Sequence, residues 1–263
     1  MKHWSKILLG LIIAAAIILR FWQLGNVPPS PDWDEASLGY NAYSIMITGH
    51  DEYGKFLPVI LRSFDDYKPG LYAYFIIPFI KLFDLNLIAV RFPSAIFGVL
   101  GVIATYLLVK ELFKNKYSEH LALVSAALFA ISPWDLQFSR IAFEAQVGMV
   151  LNLFSVLFFL KGLKRGVFLI PSALLAAASV YMYQSEKVYL PILFAALVLI
   201  YWRDLVKIPK KWIVFSVLVG IVACAPMLMS LFGDQNAFLR AKGVSVFSDQ
   251  TVFLKKKRSK DRR

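Results

Sequence analysis

The chain has 263 residues, of which 59% are hydrophobic and 17% are charged, and its mean hydropathy is +0.62. Soluble domains contain about 25% charged residues, so this composition excludes an ordinary soluble domain. The formal net charge is +12, but most Lys and Arg residues lie in short connections between apolar runs. That distribution is typical of a membrane topology signal, and we therefore predict no nucleic-acid partner. A single cysteine, Cys224, excludes an internal disulfide and a thiolate metal cluster.

The N-terminal segment MKHWSK is followed by an apolar run over residues 7–24. The run could be a cleaved signal peptide or a retained signal anchor. Its small residues, Ala14 to Ala16, lie in the middle of the run, and Phe21 and Trp22 continue it as an interfacial anchor, so the retained helix is favoured. Both interpretations place the next loop outside.

Seven apolar runs have the composition of membrane-spanning helices. They cover residues 7–24, 88–112, 121–138, 147–160, 167–182, 188–202 and 212–232. An eighth run, Leu71–Phe83, is short and contains Pro78, whereas a full crossing needs about 20 residues. We predict an all-α polytopic membrane bundle of about seven transmembrane helices, with juxtamembrane helices in the first external loop, 25–87.

The distribution of basic residues sets the predicted topology. The connections 110–120, 161–166 and 203–211 each carry three or four Lys or Arg residues, whereas 139–146 and 183–187 each carry one. Cytoplasmic loops are enriched in Lys and Arg. If Leu71–Phe83 lies in the interface, all basic connections and the basic N-terminus are cytoplasmic. The first loop and the two weakly charged connections then share the external face and can form one cavity.

The stretch PDWDEASLGYNA follows the first predicted span directly. Asp32 as N-cap and Glu35 three residues later form a capping-box pattern, which predicts a helix ending at Thr48 before Gly49. Asp34 has no capping role, although any acid in a first helical turn gains from the helix dipole. Carboxylates beside a bilayer are costly unless they are solvated or functional, which favours a catalytic role for this cluster.

The stretch SRIAFEAQVGMVL contains Arg140 and Glu144 at a spacing of four. On a helix this spacing allows a simple ion pair. Because the sequence after Gln146 is apolar, Glu144 alternatively lies at the lip of a span and faces the bundle or water.

Several cations fall on the predicted external face, and each alone would be a snorkelling or headgroup-binding residue. Together around two acids they suit a lipid phosphate, which Arg binds through two bonds and Lys as a point charge. These residues are Arg62, Lys68, Arg91, Arg140 and Lys187.

Three segments carry a resemblance to a known family: PDWDEASLGYNAYSIMITGHDEYGKFLPV, YKPGLYAYFIIPFIKLF with VRFPSAIFGVLGVIATYLLVKELF, and ISPWDLQFSRIAFEAQVGMVL. Over residues 5–250 the chain resembles the GT-C membrane glycosyltransferases, in particular the protein O-mannosyltransferase and lipid A aminoarabinose transferase group. The resemblance implies a GT-C-like transmembrane domain over 1–233, and the predicted topology places the polar, basic segment 234–263 outside. Relatives generally continue through further spans, so the chain resembles an N-terminal portion of the family.

The resemblance implies a site on the external face. Asp34 matches the acid proposed as catalytic base, Glu35 matches its partner, and Glu144 takes the place of the second acid. Arg140 and Lys187, with Lys68 and Arg91, are the candidates for binding the donor phosphate. Tyr67 stands where some relatives have a zinc ligand, so we predict no zinc there, and a divalent cation elsewhere is left open.

The implied reaction is an inverting transfer of a sugar from a polyprenyl-phosphate carrier to a hydroxyl on a protein, lipid or glycan. The implied location is the plasma or inner membrane, with a cytoplasmic N-terminus, an external active site and membrane lipids as neighbours. Two alternatives stay open from the sequence. One is a transporter or flippase of a lipid-linked substrate, and the other is an inactive truncated remnant.

Overall fold

A computed structural model describes residues 3–63 and 66–233 of the chain. The predicted segment 234–263 lies outside the described residues. The described helices are α1 (His3–Phe21), α2 (Trp33–Thr48), α3 (Leu71–Phe83), α4 (Leu87–Leu112), α5 (Ser118–Ile131), α6 (Pro133–Ser139), α7 (Glu144–Gly162), α8 (Leu169–Val180), α9 (Glu186–Ile200), α10 (Trp202–Leu205) and α11 (Lys210–Gly233). Strands β1 (Ile60–Ser63) and β2 (Asp66–Pro69) form an antiparallel hairpin, and a short 3-10 turn, Gly166–Phe168, precedes α8.

The helices form an all-α bundle, as the sequence predicts. Helix α4 is central and packs against α1, α3, α5 and α7, while α8 joins α7 to α11. More than half of the apolar stretches of α4 and α7 is buried, compared with less than a fifth in α1 and α11. The outer helices therefore present apolar side chains outward, as helices that face lipid must.

Four described helices are long and apolar enough to cross a membrane: α1, α4, α7 and the Lys210–Ser230 part of α11. A fifth span is added if α5 and α6, which meet at an angle of 57°, count as one broken helix. The bend falls at Ser132, where Pro133 starts α6 and cannot continue the hydrogen bonds of α5. The predicted spans 167–182 and 188–202 correspond to α8 and α9, which have 12 and 15 residues. The number seven stays a prediction.

Helix α2 has the boundaries that the capping pattern predicts. The backbone N–H of Asp32 donates to Glu35 Oε2 at 3.0 Å, and the Asp32 side chain caps the first turn. At the other end, Gly49 adopts φ of 74°, a left-handed conformation that glycine reaches without strain. The first turn of α2 is therefore held firmly, and its acidic residues have fixed positions.

Helix α3 covers Leu71–Phe83, as predicted from its apolar run, and packs against α2 and α4. The hairpin before it was not predicted. Its register pairs Lys68 with Leu61, and Gly70 follows β2 directly with its N–H bonded to the Val59 carbonyl at 2.9 Å. The hairpin thereby holds Lys68 against the start of α3.

The basic connections lie close together in the bundle. Lys164 forms an ion pair with Glu111, which links the connection after α7 to the end of α4. Gly166 packs against Trp212 and Ile208, which links the same connection to the start of α11. The three basic connections thus gather at one end, and the membrane side that this end faces stays a prediction.

Candidate active site

The predicted acids Asp34 and Glu144 both lie beside Lys68. Lys68 Nζ is 2.5 Å from Asp34 Oδ1 and 3.9 Å from Glu144 Oε1. The side chains of Lys68 and Glu144 are 8% and 6% exposed, whereas that of Asp34 is 53% exposed. Three residues from distant parts of the chain therefore meet at one point, and only Asp34 among the three is widely exposed.

Local structure explains this meeting. Asp34 lies in the first turn of α2 and Glu144 in the first turn of α7, so both carboxylates gain from the positive end of a helix dipole. Lys68 reaches them from β2, the last strand before α3. The Lys68 ammonium therefore lies between two helix N-termini, each of which carries an acid. A further anion could bind here to the lysine and to the backbone N–H groups of the helix ends.

Glu35 makes a different set of contacts from Asp34. Its Oε1 accepts from Arg91 Nε and from the backbone N–H of Ala142, both at 2.8 Å. Its Oε2 accepts from an Arg91 terminal nitrogen at 2.9 Å and from the Asp32 backbone N–H at 3.0 Å. The side chain is 1% exposed. Glu35 therefore joins the start of α2 to α4 and to the connection that leads into Glu144.

Arg91 was expected to bind a donor phosphate, but its side chain is 0% exposed and its donors go to protein groups. Besides Glu35, the guanidinium donates to the backbone carbonyls of Leu24, Pro28 and Ser30, at 2.8 to 3.1 Å. These bonds fix the connection between α1 and α2 on the side of α4. Arg91 and Glu35 therefore hold the same part of the chain, the start of α2 and the connection before it, against α4.

Arg140 was expected either to pair with Glu144 or to bind phosphate. Its guanidinium instead donates to backbone carbonyls at and beyond the end of α1, those of Leu19, Trp22 and Val27. A cation at a helix C-terminus satisfies carbonyls that have no partner within the helix. Arg140 thus anchors α1 and the following connection.

Lys187 lies at the start of α9, close to the Lys68 strand. Its Nζ donates to Gln184 Oε1 at 2.6 Å, and Gln184 Nε2 donates to the backbone carbonyl of Tyr67. Burial lowers the pKa of Lys187, because an ammonium group loses solvation in this position. The amide of Gln184 therefore connects the second candidate phosphate-binding lysine to β2.

Two buried polar groups were not singled out from the sequence. Arg20 of α1 forms an ion pair with Asp135 of α6, and Gln146 of α7 donates to the same carboxylate. Glu186 accepts from Asn152 Nδ2 at 2.6 Å between α9 and α7. Their positions in the sequence could have identified them, because a charged residue inside or beside an apolar run needs a polar partner in the bundle.

Residues 67–229, more than half of the chain, match the family of dolichyl-phosphate-mannose-protein mannosyltransferases. The chain belongs to this family. It is therefore an integral membrane glycosyltransferase in general, as the resemblance implied. Comparisons with curated proteins and with solved structures found no match.

The family match includes Lys68 and Glu144 but begins after Asp34 and Glu35. The structural contacts connect the two parts, because Asp34 bonds to Lys68 and Glu35 bonds to Ala142. The first loop is thus joined physically to the region that carries the family pattern. Within residues 3–63 and 66–233, no group of three or more His, Cys, Asp or Glu side chains is arranged to hold a metal ion.

Proposed function

We propose that the protein is an inverting glycosyltransferase that moves a sugar from a polyprenyl-phosphate-linked donor to a hydroxyl acceptor at the external membrane face. Asp34 is the general base, and Lys68 and Lys187 bind the phosphate of the donor. The observation that carries the proposal is the contact of the half-exposed Asp34 with Lys68, which is itself buried beside Glu144.

The chemical step needs a base and a stabilised leaving group. Asp34 takes the proton of the acceptor hydroxyl while its oxygen attacks the anomeric carbon of the sugar. The bond from that carbon to the phosphate oxygen breaks, and the polyprenyl phosphate leaves as an anion. A positioned base contributes roughly 10²–10⁴-fold to such a rate. Cations beside the departing phosphate lower the barrier further, because negative charge grows there.

The ion pair between Asp34 and Lys68 couples the two roles. The Asp34 carboxylate accepts a hydrogen bond from the Lys68 ammonium. When the donor phosphate takes over that ammonium, the Asp34 carboxylate loses this partner and can accept the proton of the acceptor hydroxyl. The carboxylate is therefore released after the donor has bound.

Glu144, which is itself buried, holds the Lys68 ammonium in place. Glu35, Arg91 and Arg140 act as positioning residues, because their polar atoms are engaged by protein groups around the site. The dolichyl-phosphate mannose in the family description supports mannose as the first sugar to test and a protein hydroxyl as the first acceptor.

The test compares Asp34→Asn with Asp32→Asn. The second variant removes the same charge two residues away, and asparagine caps a helix as well as aspartate does. Transfer from labelled polyprenyl-phosphate mannose to a peptide containing Ser and Thr is measured in proteoliposomes. We expect Asp34→Asn to lose about 10²–10⁴-fold in rate, with Asp32→Asn close to the parent. Transfer by Asp34→Asn at the parent rate would show that the base is another group.

A further inference from the structure

A cavity lies between α8, α9 and α11, away from the candidate active site, and the proposed function does not use it. Its volume is about 670 Å³, within the range of about 300–1,000 Å³ that small-molecule sites usually have. The walls are almost entirely aliphatic and aromatic. Representative lining residues are Leu169, Phe194, Val198, Ile213 and Ile221.

The few hydroxyl groups in the wall do not call for a polar ligand. Ser172 Oγ donates to the Ser155 carbonyl at 2.8 Å, and Ser216 Oγ donates to the Ile213 carbonyl at 2.9 Å. Since these groups are satisfied within the bundle, an apolar chain can fill the cavity without leaving a polar group unpaired. The chemistry of the walls therefore fits a hydrocarbon chain.

The two ends of the cavity differ in charge. Lys210 and Trp202 line one end, in the connection that also carries Arg203, Lys207 and Lys211. Lys211 Nζ lies 5.4 Å from the centre of the Trp212 ring. Tryptophan next to lysine is typical of the membrane–water interface, where basic side chains attract anionic headgroups. The opening thus has the features of a headgroup site.

This basic end is remote from the site of sugar transfer. Met227 of α11 packs against Ile60 of the hairpin, with Tyr67 beside them, next to Lys68. Met227 lies 17 positions after Lys210 in α11, which corresponds to about 25 Å along a helix at 1.5 Å per residue. A phosphate at Lys210 is therefore not the phosphate of a sugar donor held at Lys68.

The outer faces of the same helices are apolar too. Leu199 of α9 is 79% exposed and Val222 of α11 is 71% exposed, so the cavity opens between helices that face lipid. A lipid can enter from the bilayer without crossing water. We propose that the cavity binds an acyl chain of an anionic phospholipid, whose phosphate lies at Lys210 and Lys211.

The test is native mass spectrometry of the full chain in detergent, titrated with phosphatidylglycerol or phosphatidylcholine of the same acyl chains. We expect phosphatidylglycerol to bind more tightly. Lys210→Gln should weaken its binding about fivefold, because one basic residue near an anionic headgroup contributes ~1 kcal/mol. Val198→Trp, which fills the cavity, should reduce the binding of both lipids at least tenfold.

Two controls match these variants. Lys114→Gln removes another exposed lysine at the basic end, and Val222→Trp adds the same ring to an exposed position of α11 outside the cavity lining. Both should bind phosphatidylglycerol as the parent does. Because Lys210 is exposed, its replacement leaves the fold intact even if Val198→Trp does not.

Several results would overturn the proposal. Equal binding of the two lipids, an unchanged affinity in Lys210→Gln, or an equal loss in the controls would each exclude an anionic phospholipid at this opening. Retention of polyprenyl phosphate that is tighter than that of phosphatidylglycerol, and that falls at least tenfold in Val198→Trp, would assign the cavity to the sugar donor, because a donor held only at Lys68 would not respond to that variant. A photo-crosslink from position 198 to another peptide of this chain or to a second copy would assign it to a protein segment.

Discussion

Replacing Glu35 by glutamine separates a positioning role from a catalytic one. The carboxylate of Glu35 accepts four hydrogen bonds, two of them from Arg91, and both side chains are almost completely buried. Glutamine has one acceptor oxygen and one NH₂ group in place of the two carboxylate oxygens. The variant therefore breaks one bond to the guanidinium and leaves its positive charge without a counterion.

Removing one partner of a buried ion pair costs about 3–5 kcal/mol, because the remaining charge is buried without compensation. Glutamine retains part of the hydrogen bonding, so we expect the low end of that range, about 3 kcal/mol. This value corresponds to roughly a hundredfold change in the unfolding equilibrium constant. Since Glu35 also holds the N–H of Ala142, the connection into Glu144 should loosen at the same time.

The free energy of unfolding is measured by SDS titration in mixed micelles, and transfer is measured at a temperature where the variant is folded. Glu52→Gln is the matched control, because Glu52 is exposed, its described side-chain bond is the one accepted from the Asn41 amide, and glutamine preserves that acceptor. The control should lose less than about 0.5 kcal/mol. If Glu35→Gln is as stable as the control but transfers no sugar, Glu35 acts in the chemistry and the positioning role is wrong.

Two further predictions concern the surroundings of the site. Burial lowers the pKa of Lys187, so its positive charge is lost at a lower pH than in a free lysine. If Lys187 binds the donor phosphate, donor affinity should therefore fall as the pH rises through that pKa. Lys187→Arg should move this alkaline fall in donor affinity to higher pH, because arginine stays charged. An unchanged alkaline fall would remove Lys187 from the phosphate site. A Cβ at Gly98 would lie 2.5 Å from Ser139 Cβ and 2.6 Å from Arg20 Nε, so Gly98→Ala should destabilise the protein by about 1–3 kcal/mol in SDS titration. Gly10→Ala, where a Cβ meets no atom within 4 Å, should be neutral or slightly stabilising, and equal losses in both would contradict this packing.

Local patterns in the sequence were sufficient to place several elements. The capping box at Asp32 and Glu35 and the glycine at position 49 define α2 within one turn, because each feature satisfies backbone groups of its own helix. The apolar run Leu71–Phe83 likewise gives α3 its limits. The structure also brings Asp34 and Glu144 to the same lysine, Lys68, whereas the membrane topology inferred from charge counting stays a prediction.

Those local patterns could not predict contacts between segments that are distant in the sequence. The guanidinium groups of Arg91 and Arg140 bind backbone carbonyls, and carbonyls are present at every residue, so no side-chain type marks such a partner. The hairpin 60–69 has only four residues in each strand, too few for an alternating pattern to identify. Pro133 indicated a bend at Ser132, but the sequence is apolar on both sides of this proline and therefore predicted one uninterrupted span.

The exposed fractions of the three acidic side chains support Asp34 as the proposed base. Glu35 is enclosed by four protein donors, and Glu144 is buried beside Lys68, so neither can approach an acceptor hydroxyl without breaking the structure around it. Among the described residues, the Asp34 side chain bonds to the Lys68 ammonium, and half of that side chain is exposed. A donor phosphate competes for that same ammonium, because phosphate binds lysine through the same charge interaction. In the proposed mechanism, Lys68 binds the donor phosphate and thereby releases the Asp34 carboxylate, so transfer to an acceptor is favoured only when a donor is in place.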